Sequence, residues 1–251
     1  MPLPPLPAED VRLLRLSVAI VQGAWDEVRA VRAAGEPDRR WREAVLQTHL
    51  FAGFPRLVEA FYVLTRAGGL GTPEPSETAP ERTDAGDLET GYALFAQIYA
   101  GRAPEVRAML EEAHPELARW TLGHAYGRVL SRPGLDPGFR ETLAVACLAA
   151  LHQDRQLASH ARGAQHLGVP LARLHAAVEA VGDLMPDRRP RGRPRRPRPL
   201  RRDARRGPHR RSRPHAPGLS PARAPRLQRP SAARARSASS RTCSRAASVT
   251  P

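Results

Sequence analysis

RPGLDPGFRETLAVACLAALHQDRQLASHARGAQHLG, residues 132–168, is the stretch whose reading decides the fold. It opens in a Pro/Gly turn, Ser131–Gly138. Asp136-Pro137 then supplies a side-chain cap and a first-turn proline for a helix running to about Leu151. That helix holds the longest purely apolar run of the chain, Leu143–Leu151. His152-Gln153-Asp154 makes a tight corner, Arg155–Leu167 returns antiparallel, and Gly168 stops it. A helical hairpin of this kind brings Glu141 and His160, nineteen residues apart, to similar heights on facing helices. A carboxylate that holds an imidazole fixes its tautomer and raises its basicity, which suits general acid–base chemistry. Each residue also has a plainer reading. A first-turn carboxylate gains about 0.3–1 kcal/mol from the helix dipole alone, and a lone His on an apolar helix is usually structural.

Working outward, apolar spacing is helical almost throughout residues 9–185 and nothing alternates like a strand, so an all-α fold is expected. Helices are predicted over about Glu9–Gln22 and Asp26–Ala34. Another opens at Glu36-Pro37-Asp38, and Gly53-Phe54-Pro55 breaks it before a segment over Arg56–Arg66. Residues 67–86 read as a linker rich in Gly, Pro, Thr and Glu. Asp87 is the expected N-cap of the helix carrying Leu88, Tyr92, Phe95, Ile98 and Tyr99. Helices at 104–113, 115–130 and Val169–Met185 complete the set. The expected organisation is thus an N-terminal helical half (1–66), the linker (67–86), a second helical half with the Glu/His pair (87–185) and a tail (186–251).

The letters R-P-G-L-x-x-x-x-R-E, an apolar helix and then His followed by G-A resemble the carboxymuconolactone decarboxylase and alkylhydroperoxidase D proteins. Here they are Arg132, Pro133, Gly134, Leu135, Arg140, Glu141, His160, Gly163 and Ala164. Residues 91–152 resemble the N-terminal portion of that family. Residues 43–61 resemble the helix pair that usually comes last, although they come early here. LSVAIVQGAWDEVRAV from Leu16 also parallels LAVACLAALHQDRQLA from Leu143, a weak internal repeat in which Leu14 stands where the second copy has Glu141.

The resemblance implies an alkylhydroperoxidase D-like helical fold. It implies a lyase acting without metal or organic cofactor on a small carboxylated lactone from aromatic catabolism, and a homo-oligomer. It assigns His160 as the acid, Glu141 as its orienting partner, and Arg140 and Arg132 as holders of a substrate carboxylate. The peroxidase branch carries E-x11-C-x2-C-x3-H. Counting from Glu141, the thiol positions fall on Gln153 and Gln156, and the His on His160. Gln can neither attack a peroxide nor resolve a sulfenic acid, so an antioxidant, peroxiredoxin-type role is the second reading. A non-catalytic helical scaffold is the third.

Residues 186–251 hold 21 Arg and 12 Pro with two Asp and no aromatic residue, a net charge of +19. The remaining 185 residues are mildly acidic, so the chain's formal charge of +15 belongs to the tail. All 40 basic residues are Arg, as very GC-rich coding DNA would give, and a frameshifted end would have the tail's composition. The tail is expected to be disordered and to attract polyanions without sequence preference. Of the two cysteines, Cys147 sits in an apolar helix and Cys243 in the tail, which fits a reducing compartment and a cytoplasmic location. The opening MPLPPLPAED lacks the pattern of a signal peptide, and no apolar run approaches the roughly 20 residues that cross a bilayer. No metal-ligand spacing, Walker loop, dinucleotide fingerprint or serine-hydrolase elbow occurs.

Overall fold

A computed structural model describes residues 5–78 and 83–186. The readings made for the Arg/Pro-rich stretch beyond 186 lie outside the described residues. Ten α-helices, one π-helical segment and three short 3-10 turns form the regular structure of the described residues, with no strand among them. Helix α1 spans Ala8–Gln22, α2 Trp25–Ala33, α3 Arg39–Gln47 and α4 His49–Arg66. They are followed by α5 at Asp84–Tyr99, α6 at Ala103–Ala113 and α7 at Pro115–Arg119. The chain of α7 continues as a π-helical segment over Trp120–Leu130, and α8 (Pro137–Ala150), α9 (Asp154–His166) and α10 (Leu171–Glu179) complete the order.

Most boundaries follow the local signals. Asp136 Oδ1 accepts a hydrogen bond from Phe139 N at 3.1 Å, capping α8 as its sequence predicts. Gly53 breaks α4 with φ 76° and ψ 168°, a conformation a side chain would oppose. Three expectations are corrected. The helix after the linker is capped by Thr83, whose Oγ1 accepts from Gly86 N at 3.1 Å. Asp87 is instead buried inside that helix and bonded by Arg128. Helix α3 begins after Asp38, which accepts from Trp41 N, so Pro37 precedes the helix rather than entering it. The last helix stops at Glu179 and hands over to a 3-10 turn at Gly182–Leu184.

The largest apolar cluster among the described residues joins α1 to α8 and the residues around α10. Leu13, Leu14, Leu16, Val18, Ala19 and Ile20 of α1 are fully buried, beside Trp41, Leu64, Leu143, Ala146, Cys147, Ala177 and Val181. Two ion pairs clasp α1 to the C-terminal helices: Arg15 to Asp183 at 2.8 Å, and Arg173 to Asp10 at 2.7 Å. The segment read as a linker folds back on this half. Leu70 and Glu77 are buried, and Arg42 bonds both, reaching the Leu70 carbonyl and gripping the Glu77 carboxylate with two nitrogens.

A second cluster joins α5 to the π-helical segment through Leu94, Phe95, Ile98, Leu122, Tyr126 and Leu130. The two backbones meet at glycines. A Cβ on Gly91 would fall 1.9 Å from the Leu122 carbonyl oxygen, and one on Gly127 would fall 1.9 Å from that of Asp87. Only hydrogen fits at either position.

Candidate active site

Glu141 is the fifth residue of α8, just past the first turn expected for it, and His160 lies near the middle of α9; the corner at His152 (φ 54°) brings the two helices face to face. His160 Nδ1 is 2.9 Å from Glu141 Oε2. The carboxylate is 1% exposed and the imidazole side chain 15%, so the acid is enclosed while the ring keeps an outward edge. Burial works to lower the His160 pKa, but the charge and hydrogen bond of Glu141 outweigh it, and the net displacement is upward. With Nδ1–H on the carboxylate, Nε2 is the nitrogen available to a substrate. Glu141 Oε1 is buried and accepts no hydrogen bond from the described residues.

The neighbours explain part of the sequence pattern. Gly163 lies three residues after His160. A Cβ there would fall 2.6 Å from Ile98 Cγ2 and 2.9 Å from Glu141 Oε2. A side chain at this position would occupy the carboxylate's place, which gives the G-A step a steric reason. Ala164 beside it is fully buried. Phe51 of α4 meets the His160 ring edge-on, with centroids 6.4 Å apart and planes at 81°. Tyr126 is buried and donates its hydroxyl to Tyr99 at 3.2 Å. Burial, the Tyr99 hydroxyl and the negative charge of Glu141 all push its phenol pKa well up, so Tyr126 remains a neutral donor.

Arg132 and Arg140, expected at a substrate carboxylate, are both bonded to Glu43 of α3. Arg140 is 1% exposed. It donates to Glu43 Oε2 at 2.8 Å, to Gln47 Oε1 at 3.2 Å and to the Arg132 carbonyl at 2.9 Å. Arg132 grips the same carboxylate through Nε and Nη2 and also reaches the Glu77 carbonyl. Burial lowers the Arg140 pKa against the pull of Glu43, whereas the Glu43 hydrogen bonds raise that of Arg132. A substrate carboxylate would have to displace Glu43 from a fully buried position.

The positions matching the family's thiols carry Gln153 and Gln156, both exposed. Cys147 is fully buried and its thiol is pushed up to about 12 by burial, far from a reactive thiolate. His152 is exposed at its corner. Among the described residues no group of three or more His, Cys, Asp or Glu could hold a metal ion, and no helix is long and apolar enough to cross a membrane.

Sequence reasoning missed Glu43, Gln47, Phe51 and Tyr126. Glu43 and Gln47 could have been found, because they stand at i and i+4 beside the apolar stripe of Trp41, Val45 and Thr48. Nothing local marks Phe51 or Tyr126 as neighbours of the pair.

Comparison with known proteins agrees with the motif. Residues 115–183 match the model of the carboxymuconolactone decarboxylase family, a span holding Glu141, His160, Arg132 and Arg140. Among curated proteins, Peroxisomal protein 2 of Schizosaccharomyces pombe is 28% identical over 131 residues. That match covers 51% of this chain and 60% of the relative's length. No solved structure matches significantly.

Proposed function

With a carboxymuconolactone decarboxylase match across the α8–α9 hairpin as premise, we propose that the chain is a lyase of that type. It would act by acid–base catalysis on a small carboxylated lactone or a related aromatic-catabolism intermediate. The observation that carries this reading is the 2.9 Å contact between His160 Nδ1 and a nearly inaccessible Glu141 carboxylate. In the reaction, the bond to the leaving carboxylate breaks, CO₂ departs, and the electron pair delocalises into the unsaturated lactone. Protonated His160 donates from Nε2 to the carbon skeleton. Glu141 holds the ring through Nδ1 and balances the imidazolium until that proton is delivered; the neutral ring then takes a proton from water, and the hydroxide left combines with CO₂ as bicarbonate. The upward displacement of the His160 pKa supports this role, since Glu141 stabilises the protonated ring that must donate.

The same reading takes the protein to be cytoplasmic and homo-oligomeric. Support for self-association comes from α4, where Phe54, Val58 and Tyr62 recur every four residues and are 61%, 65% and 54% exposed. The test is lactone decarboxylation by the full chain and by Glu141→Gln and His160→Gln. Each variant is expected to lose about 10²–10⁴-fold in turnover with its fold retained, and the double variant should be little worse than the poorer single. Normal turnover per folded molecule in His160→Gln would end the catalytic assignment.

A further inference from the structure

Away from the Glu141–His160 pair, the first turn of α4 and the π-helical segment bring two more imidazoles together. His49 Nε2 lies 2.7 Å from His124 Nε2. His49 Nδ1 lies 2.5 Å from the Leu46 carbonyl oxygen. A carbonyl only accepts, so Nδ1 carries a proton, and in the tautomer with that single proton the Nε2 lone pair faces His124. Phe54 stacks on His49 at 5.0 Å between centroids, which fixes the ring plane. A neutral imidazole whose Nδ1–H is held on a backbone carbonyl is oriented as metal-ligating histidines are. π-Helical winding is rare, and its single-turn form is frequent at functional sites.

We propose that His49 and His124 form a two-imidazole site for a divalent late first-row transition-metal ion. Metal–nitrogen bonds of about 2.0–2.1 Å at a cis angle of about 90° put the two nitrogens about 2.9 Å apart, close to the observed spacing. A tetrahedral ion needs roughly 3.3 Å from the same bond lengths. Ions that accept cis positions, such as Ni²⁺ and Cu²⁺, therefore fit better than Zn²⁺. The ion would replace the single proton that the two rings now share. Its remaining positions belong to water or to an oxygen ligand entering the adjoining cleft. That cleft, of about 320 Å³, is lined by His124 itself with Asp87, Trp120, Gly123 and Arg128. The site stands on its own geometry and does not depend on the role given to Glu141 and His160.

Calorimetric titration of the full chain with Ni²⁺ near pH 7.5 tests it. One equivalent should bind, and either His49→Gln or His124→Gln should weaken binding at least tenfold. Replacing His175, an exposed histidine on α10, should leave binding unchanged. Electron paramagnetic resonance of the Cu²⁺-loaded protein reads ligation independently of stability. Two coordinated imidazole nitrogens are expected in the wild type and one in each variant. Absence of binding by the wild type would overturn the proposal. Equal Ni²⁺ affinity in the wild type and both variants would do the same, as would a copper signal that the substitutions do not change.

Discussion

Replacing Glu43 by Gln is the most decisive perturbation of the arginine cluster. The carboxylate is fully buried and is shared by Arg140, itself 1% exposed, and by Arg132, 17% exposed. The amide keeps the shape and one acceptor but removes the charge that offsets two guanidiniums. Breaking a buried ion pair by neutralising one partner costs about 3–5 kcal/mol, because the other charge stays desolvated. Arg132 has partial access to solvent and can recover some hydration, so the loss is expected near the middle, about 4 kcal/mol. That is a large share of the roughly 5–15 kcal/mol available to a domain. At about 2–4 °C per kcal/mol for a chain of this size, the melting temperature should fall by about 8–16 °C. Urea unfolding followed by circular dichroism measures it: the midpoint should move with the slope unchanged. Turnover per folded molecule and KM should change little, because both guanidiniums are engaged by Glu43. A loss below about 1 kcal/mol, or a KM raised many-fold in a protein of normal stability, would refute the reasoning.

Four further outcomes are expected. Since Glu141 raises the folded-state pKa of His160, the stability that the pair adds is complete below the ordinary imidazole value. It is lost as pH rises through the raised one, and kcat/KM should fall over the same interval. Histidine NMR titration should show the His160 pKa dropping in Glu141→Gln. Gly127→Ala should destabilise by about 1–3 kcal/mol or more, since its methyl meets a carbonyl oxygen rather than a movable side chain; an unchanged melting temperature would count against the close crossing of α5 and the π-helical segment. Cys147 should resist thiol reagents in the native protein and react only on unfolding; prompt labelling would contradict its burial. Val58→Glu should reduce self-association in light scattering, and an unaltered mass would remove α4 from the proposed interface.

What the sequence made legible was local. The Asp136-Pro137 start of α8, the corner at His152, the break at Gly53 and the facing of Glu141 and His160 all depend on residues close in the chain. The arginines' partner, Glu43, lies about ninety residues away, and spacing within one motif carries no sign of it. Asp87 was misassigned for the opposite reason. It has the chemistry of a cap, but Thr83 lies earlier and takes that place, leaving the aspartate for Arg128. The π-helical winding of Trp120–Leu130 has no single-residue signal either. Its backbone runs against α5 at Gly91 and Gly127, a tertiary contact that periodicity cannot express.

The clasp between α1 and the last described helices has a consequence for biosynthesis. Arg15 waits for Asp183, 168 residues later, and Asp10 for Arg173, 163 residues later. Translation adds about 5–20 residues per second, so α1 leaves the ribosome on the order of ten to thirty seconds before its partners exist. Through that interval Leu13, Leu14, Leu16, Val18 and Ile20 have no α8 or α10 to cover them. The nascent chain is therefore a natural client for a holding chaperone, and slower elongation lengthens the time for which it needs one.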